Sequence, residues 1–185
     1  MPITIQSAGF EHVEGIRRVC TRGWRDTYDG LIPDDEIEAT LEEFYDPNRL
    51  RAEILDPKGW DGWLVALEDE TVIGAGGGGM TDNSSGEVYV LYVDPDEQRR
   101  GVGTALLSRM TEEQVARGAT KQFVSVAKGN DVALHFYEKH GFERIGQRPT
   151  FGDTLSGTSI RLRRSLDGAM SRDTWRRTDR EKRNQ

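Results

Sequence analysis

The stretch EVYVLYVDPDEQRRGVGTALL, residues 87–107, decides the fold of this chain. Val88–Val93 is an unbroken apolar run, and Glu87 before it is the segment's one polar residue. A strand apolar on both faces belongs at the centre of a sheet. Pro95 cannot continue a ladder and stops the strand. Gln98, two arginines and two glycines then turn a corner. Val102, Ala105, Leu106 and Met110 fall on one side of a helix expected over residues 100–117. QFVSVA (122–127) reads as the next strand, so residues 87–127 form a strand–helix–strand crossover.

Towards the N-terminus, GWLVAL (62–67) and TVIGAGGGG (71–79) read as a hairpin around the turn EDE. ITIQSA (3–8) alternates like a strand, and from Phe10 the spacing of Val13, Ile16, Val19 and Cys20 towards Trp24 is helical. DGLIPDD (29–35) breaks that helix with Gly30 and Pro33. Ile37 and Leu41 mark a second helix, and a third, short one lies around Leu50 to Leu55. Towards the C-terminus, NDVALHFYEKHGF (130–142) is a helix with Asn130 as N-cap and Gly141 just past its end. ERIGQR (143–148) and TSIRLRR (158–164) supply the final strands. The sum is a mixed α/β sheet in one domain over residues 1–167, followed by a tail over 168–185. No internal repeat is visible.

The 185 residues carry a net charge of −7, with 35% hydrophobic and 31% charged residues, enough for a real core in a polar chain. Residues 168–185 hold six Arg/Lys against three Asp/Glu, so the preceding residues carry −10. An acidic body argues against general nucleic-acid binding, which needs a basic footprint. It suits solubility, or a cationic substrate. The basic tail, with Trp175 as the one apolar residue of SRDTWRRTDREKRNQ, is expected to be disordered or loosely docked. Cys20 is the only cysteine, which excludes an intramolecular disulfide and a cysteine metal cluster; no metal is expected. The N-terminus lacks a basic region followed by an apolar one, and the longest apolar run, VYVLYV, is far short of the ~20 residues of a membrane helix. A cytoplasmic protein with no membrane partner is the expectation.

Two glycine stretches compete as phosphate sites. GAGGGG (74–79) satisfies G-x-G-x-x-G, but MTDNSSG follows it and is no helix start, so it lacks the helix N-terminus that a dinucleotide site needs. Five glycines in six residues mark instead a flexible or bulged strand end where a ligand or another backbone comes close. No G-K-[ST] is present, so there is no P-loop. QRRGVGTALL has the right context: a strand before it, a helix after it, and glycines that let a phosphate reach the unpaired N–H groups of the helix start. A capped helix with exposed arginines is the plainer alternative.

Gln98-Arg99-Arg100-Gly101-Val102-Gly103 resembles the Q/R-x-x-G-x-G/A signature of the GCN5-related N-acetyltransferases. Asn130, Ala133, Phe136, Tyr137, Gly141 and Phe142 resemble that family's second motif, in the right order and on the right elements. The resemblance covers roughly residues 3–164, and its specific part is 87–142. It implies a mostly antiparallel sheet with helices on both faces and a CoA-binding strand–loop–helix. It further implies acetyl-CoA as co-substrate and direct transfer to an amine acceptor in a ternary complex, with a homodimer compatible. The rival from another class is a non-catalytic acyl-CoA sensor on the same fold.

Carried over residue by residue, the resemblance implies that Gln98, Arg99, Arg100, Gly101, Val102 and Gly103 offer backbone N–H groups to the CoA pyrophosphate. Leu91 and Val93 match strand positions whose backbone binds the pantetheine, and Asn130 matches a CoA contact as well as a helix cap. Tyr137 matches the general acid that protonates the departing thiolate, although a tyrosine on an amphipathic helix is also an ordinary core residue. His135 and His140 read as a helix-surface residue and a C-terminal-turn residue. For the base the chain departs from the pattern: Ser125 stands where some members place a Glu. Glu87, an acid on the central strand, is the alternative base, with a solvent-facing strand-end charge as its plain reading. Trp24 and Tyr28, four residues apart on the first helix, and Asp29 with Asp26, Asp34 and Asp35 resemble an acceptor border able to hold a cation. Core aromatics beside solvated acids fit that pattern equally.

Overall fold

The computed structural model describes residues 2–149 and 157–166; the tail expected over 168–185 lies outside them. In chain order they form β1 (Thr4–Ser7), α1 (Val13–Tyr28), α2 (Asp34–Phe44), α3 (Pro47–Leu55), β2 (Leu64–Glu68), β3 (Thr71–Met80) and β4 (Ser85–Val93). Then come α4 (Val102–Ala116), β5 (Lys121–Ala127), α5 (Asp131–Lys139), β6 (Glu143–Pro149) and β7 (Thr158–Ser165). The strands make one seven-stranded sheet in the order β1-β2-β3-β4-β5-β7-β6. β4 lies at its centre, as the apolar run requires, and among the described residues β4–β5 is the only parallel pair.

Each face of the sheet carries its own core. Val13, Ile16, Val19, Cys20 and Trp24 of α1 pack with Ile37 and Leu41 of α2 and Leu50 of α3 against Val65, Leu67, Val72 and Ala75. On the other face Val102, Leu106, Leu107 and Met110 of α4 and Leu134 and Tyr137 of α5 pack against Ala66, Ile73, Val88, Val124 and Leu162. Alternation along the strands feeds the two cores in turn.

Local chemistry explains the elements. Asp46 caps α3 through the N–H groups of Asn48 and Arg49, and Pro47 occupies its first turn, so the helix begins three residues before the expected Leu50. Asp69 and Glu70, both left-handed (φ 47° and 65°), form the two-residue turn of the β2–β3 hairpin, whose twist demands that conformation. The glycine run 74–79 reaches the penultimate residue of β3, with the expected bulge between Gly77 and Gly78. Another backbone does come close: a Cβ on Gly77 would sit 2.5 Å from the Gly62 carbonyl, and one on Gly78 would sit 2.2 Å from that of Glu87. The opposing strand absorbs the bulge at Tyr89, because Gly77 faces Val90 while Gly78 faces Val88.

Candidate active site

β4 and β5 pair from Ser85/Lys121 to Val88/Val124 only, while β4 continues to Val93 and β5 to Ala127. Past Val88, the edge of β4 that faces β5 has no partner strand among the described residues, and Leu91 and Val93 lie along this stretch. Backbone polar groups there are available to a ligand that lies between the strands as a strand would. The parting sits at the carboxyl ends of the parallel pair, where open α/β sheets place ligands.

The corner after β4 gathers backbone N–H groups in an open turn. Asp94 accepts from the Asp96 N–H at 3.0 Å and turns the chain. Arg22 of α1 clamps the Asp94 carboxylate with Nη1 at 2.7 and 2.8 Å, which ties α1 to the end of β4. Arg99 (φ 65°) and Gly101 (φ 80°) are both left-handed, the alternation that turns successive N–H groups towards one concavity. A Cβ on Gly101 would meet nothing within 4 Å, so space above the backbone is open. The first bond of α4 runs from Ala105 N–H to Gly101 C=O, and Val102, Gly103 and Thr104 present the free donors of its first turn. Gln98 and Arg99 are exposed at the rim. Arg100 is engaged by Glu97 and Glu68, so its charge is shared with two carboxylates and the backbone carries more of the anion-binding capacity than the sequence suggests. Donors, shape and open space together fit a pyrophosphate.

Asn130 caps α5 by accepting from the Ala133 N–H at 3.2 Å. Its side chain and Tyr92 of β4 both lie near the Tyr28 hydroxyl. Burial pushes the Tyr28 hydroxyl up, and these two neighbours oppose that shift. Trp24 and Tyr28 are both buried in the α1 core, their rings tilted at 45° with centroids 4.4 Å apart, the placement of packing aromatics rather than an open wall. Trp24 donates to the Tyr45 hydroxyl at 3.2 Å. Asp29 is exposed at the end of α1, on the connection whose Leu31 lies beside Gly129.

Tyr137 is 5% exposed, its ring packed edge-on against Phe136 and Phe142. Burial holds its hydroxyl well above the usual tyrosine range, with Arg164 pulling the other way. No described residue hydrogen-bonds that hydroxyl. His140 is tied to Thr104 Oγ1 at 3.1 Å and to the Phe136 carbonyl, joining the start of α4 to the end of α5.

Glu87 is no strand-end charge in solvent. It is the third residue of β4 and 4% exposed, and Arg161 of β7 grips both its oxygens, one at 2.8 Å. Arg161 also donates to Ser125 Oγ at 3.1 Å, so the two positions weighed for the base meet on one guanidinium. Arg148 lies 3.7 Å from Glu87, and Tyr89 stands half-exposed beside them. Arg161, Arg22 and Tyr89 escaped the sequence reading. Arg22 carries no motif, whereas Arg161 occupies a polar position of an alternating strand, which flags a face but not a partner. Among the described residues no group of His, Cys, Asp or Glu is placed to hold a metal, and no helix is long and apolar enough to cross a membrane.

Residues 24–142 match the profile of the Acetyltransferase (GNAT) family. The chain is 28% identical over 167 residues to the uncharacterized N-acetyltransferase YuaI of Bacillus subtilis, covering 87% of this chain and 89% of that protein. Its fold is similar to the PaiA N-acetyltransferase of Thermoplasma acidophilum solved with coenzyme A, with TM-score 0.76, 25% identity, and 90% and 100% of the two chains covered. The ribosomal-protein-S18-alanine N-acetyltransferase of Escherichia coli shares the fold at TM-score 0.65 and 17% identity, with 92% and 97% covered.

Proposed function

The chain belongs to the GNAT family of acetyl-CoA-dependent N-acetyltransferases, and on that premise we propose that it moves acetyl from acetyl-CoA to a primary amine by direct attack in a ternary complex. One observation carries the reading: the unpartnered edge of β4 leads directly into a left-handed, N–H-rich corner at the start of a helix. Acetyl-CoA supplies an activated acyl thioester. Backbone groups of Leu91 and Val93 hold the pantetheine arm along β4. The N–H groups of residues 98–103 bind the pyrophosphate, with Arg99 adding charge at the rim. Asn130, fixed as the cap of α5, borders the same cleft.

Two proton movements fall to side chains. An alkyl ammonium of pKa ~10.4 is neutral in only about one molecule in 2,500 at pH 7, which costs about 4.6 kcal/mol. Glu87, directly or through one water, takes the amine proton, and Arg161 holds the carboxylate in place. Tyr137 gives its hydroxyl proton to the departing sulfur. The amine approaches past the end of α1, where Asp29, with Asp34 and Asp35 beyond it, favours a cation; Trp24 and Tyr28 support that border from beneath.

Calorimetry with CoA and thiol release from acetyl-CoA over a pooled amine panel test the reading together. Wild-type protein binds CoA and releases thiol in an amine-dependent way. Gly101→Glu strains a left-handed backbone, fills the open space and adds like charge, so a folded variant loses CoA binding. Undiminished affinity in that variant would overturn the corner assignment, and amine-independent thiol release would overturn the transfer.

A further inference from the structure

Beneath Tyr137 the interior holds a cation that makes no ion pair among the described residues. Arg164 ends the inward row Ile160, Leu162, Arg164 of β7 and is 7% exposed. Among the described residues its hydrogen bonds go to neutral oxygens: Nε to Gln122 Oε1 at 2.9 Å, Nη1 to the His140 carbonyl at 2.8 Å and Nη2 to Thr111 Oγ1 at 2.9 Å. Gln122 and Thr111 are themselves fully buried and bonded to each other. The guanidinium lies over the Phe142 ring at 4.7 Å, and that ring packs 5.3 Å from Tyr137. Burial draws Arg164 down to about 10, so it stays charged at neutral pH, and the charge it responds to among the described residues is that of Tyr137.

A buried unpaired guanidinium is costly, and a neutral residue of similar volume would pack at less expense. We propose that Arg164 is a positioning charge for Tyr137, stabilising the negative charge left on the tyrosine oxygen as its proton passes to the departing sulfur. The inference rests on the assignment of Tyr137 as proton donor. In that step the neutral amine nitrogen bonds the acetyl carbon and releases its second proton to solvent water, the carbon–sulfur bond breaks with its electron pair on sulfur, and the Tyr137 proton bonds to that sulfur. The tyrosinate, held by Arg164, then recovers a proton from water. Low surrounding polarity strengthens the attraction, and the neutral partners of Arg164 leave its charge undiminished.

Three variants test this by the rate of thiol release from acetyl-CoA, with excess spermidine as acceptor or with water at the background rate. Gln122→Glu places a carboxylate on the existing Arg164 bond at unchanged size and neutralises the guanidinium where it stands. Arg164→Gln removes the charge, and Arg164→Lys keeps it. The expected result is a roughly tenfold fall in kcat for Gln122→Glu and for Arg164→Gln, with the acetyl-CoA KM within twofold and Arg164→Lys recovering most of the rate. In a Tyr137→Phe background the same neutralising changes lower the rate by less than twofold. Equal losses in both backgrounds, or a wild-type rate in folded Gln122→Glu, would overturn the role of Arg164 and leave Tyr137 standing. Wild-type turnover in Tyr137→Phe alone would instead remove the premise.

Discussion

At the scale of single residues, the proposed site separates into groups assigned to bind through the backbone and two side chains assigned to move protons. Tyr137→Phe keeps the ring contacts with Phe136 and Phe142 and removes only a hydroxyl that no described residue bonds. Its melting temperature and CoA affinity should therefore stay at wild-type values. The kcat should fall about a hundredfold, the lower end for a general acid, because a thiolate of pKa ~8.5 already leaves well. A tyrosine that served packing alone would keep turnover. Glu87→Gln keeps shape and one acceptor for Arg161, so kcat/KM should drop and the acidic limb of its pH profile should flatten. A wild-type profile in that variant would pass the role to water. The strand, glycine corner and helix start were legible in the sequence, which also marked Tyr137 by motif position and Glu87 as an acid on the central strand. Arg161 and Arg164 were not, since a strand reading IRLRR says which face a side chain takes and nothing of what waits there.

At the scale of elements, most of what the pattern dictates holds, and the departures have local causes. The β2–β3 hairpin places two acidic residues in left-handed conformation, where glycine and asparagine are the economical choices. Exposed Glu70→Gly should therefore stabilise the domain by about 0.5–1 kcal/mol, read as a raised urea midpoint at constant m-value. A lowered midpoint would show that the Glu70 side chain contributes more than its backbone costs. Glycines 74–79 were read as a flexible or bulged strand end, and they occupy β3 up to its penultimate residue with a bulge at Gly77/Gly78. The bulge and the approach of the Gly62 carbonyl require bare backbone, but hydrogen-bonding to β2 and β4 keeps the chain extended. Periodicity sees composition, and the neighbouring backbone that excludes a Cβ is invisible to it.

At the scale of the whole molecule, two cores on opposite faces bury several ionisable groups in neutral form. Burial raises the hydroxyls of Tyr45, Tyr92 and Tyr137 and the thiol of Cys20. The folded state thus holds these protons more tightly than the unfolded chain does. Their contribution is fully present below the unfolded values, ~8.5 for the thiol and ~10 for the phenols, and is lost as pH climbs towards the folded ones. Unfolding free energy should fall above pH 9, steepening past pH 10 by about 1.4 kcal/mol per pH unit for each group engaged. Chemical denaturation between pH 8 and 11 measures the slope, and a flat profile would refute the account.

The sequence by itself determined the elements and their order, the central place of β4, the corner at 98–103 and the motif tyrosine, because each rests on periodicity, turn chemistry or short-range spacing. Only the tertiary structure decided that β4 and β5 part after Val88, that Trp24 and Tyr28 face inward, that Arg100 is shared with Glu68 and Glu97, and that Glu87 meets Arg161 while Arg164 lies near Tyr137. These are relations between residues far apart in the chain. Burial and pairing set the charge and basicity of such groups, and both arise only when distant strands and helices close around them.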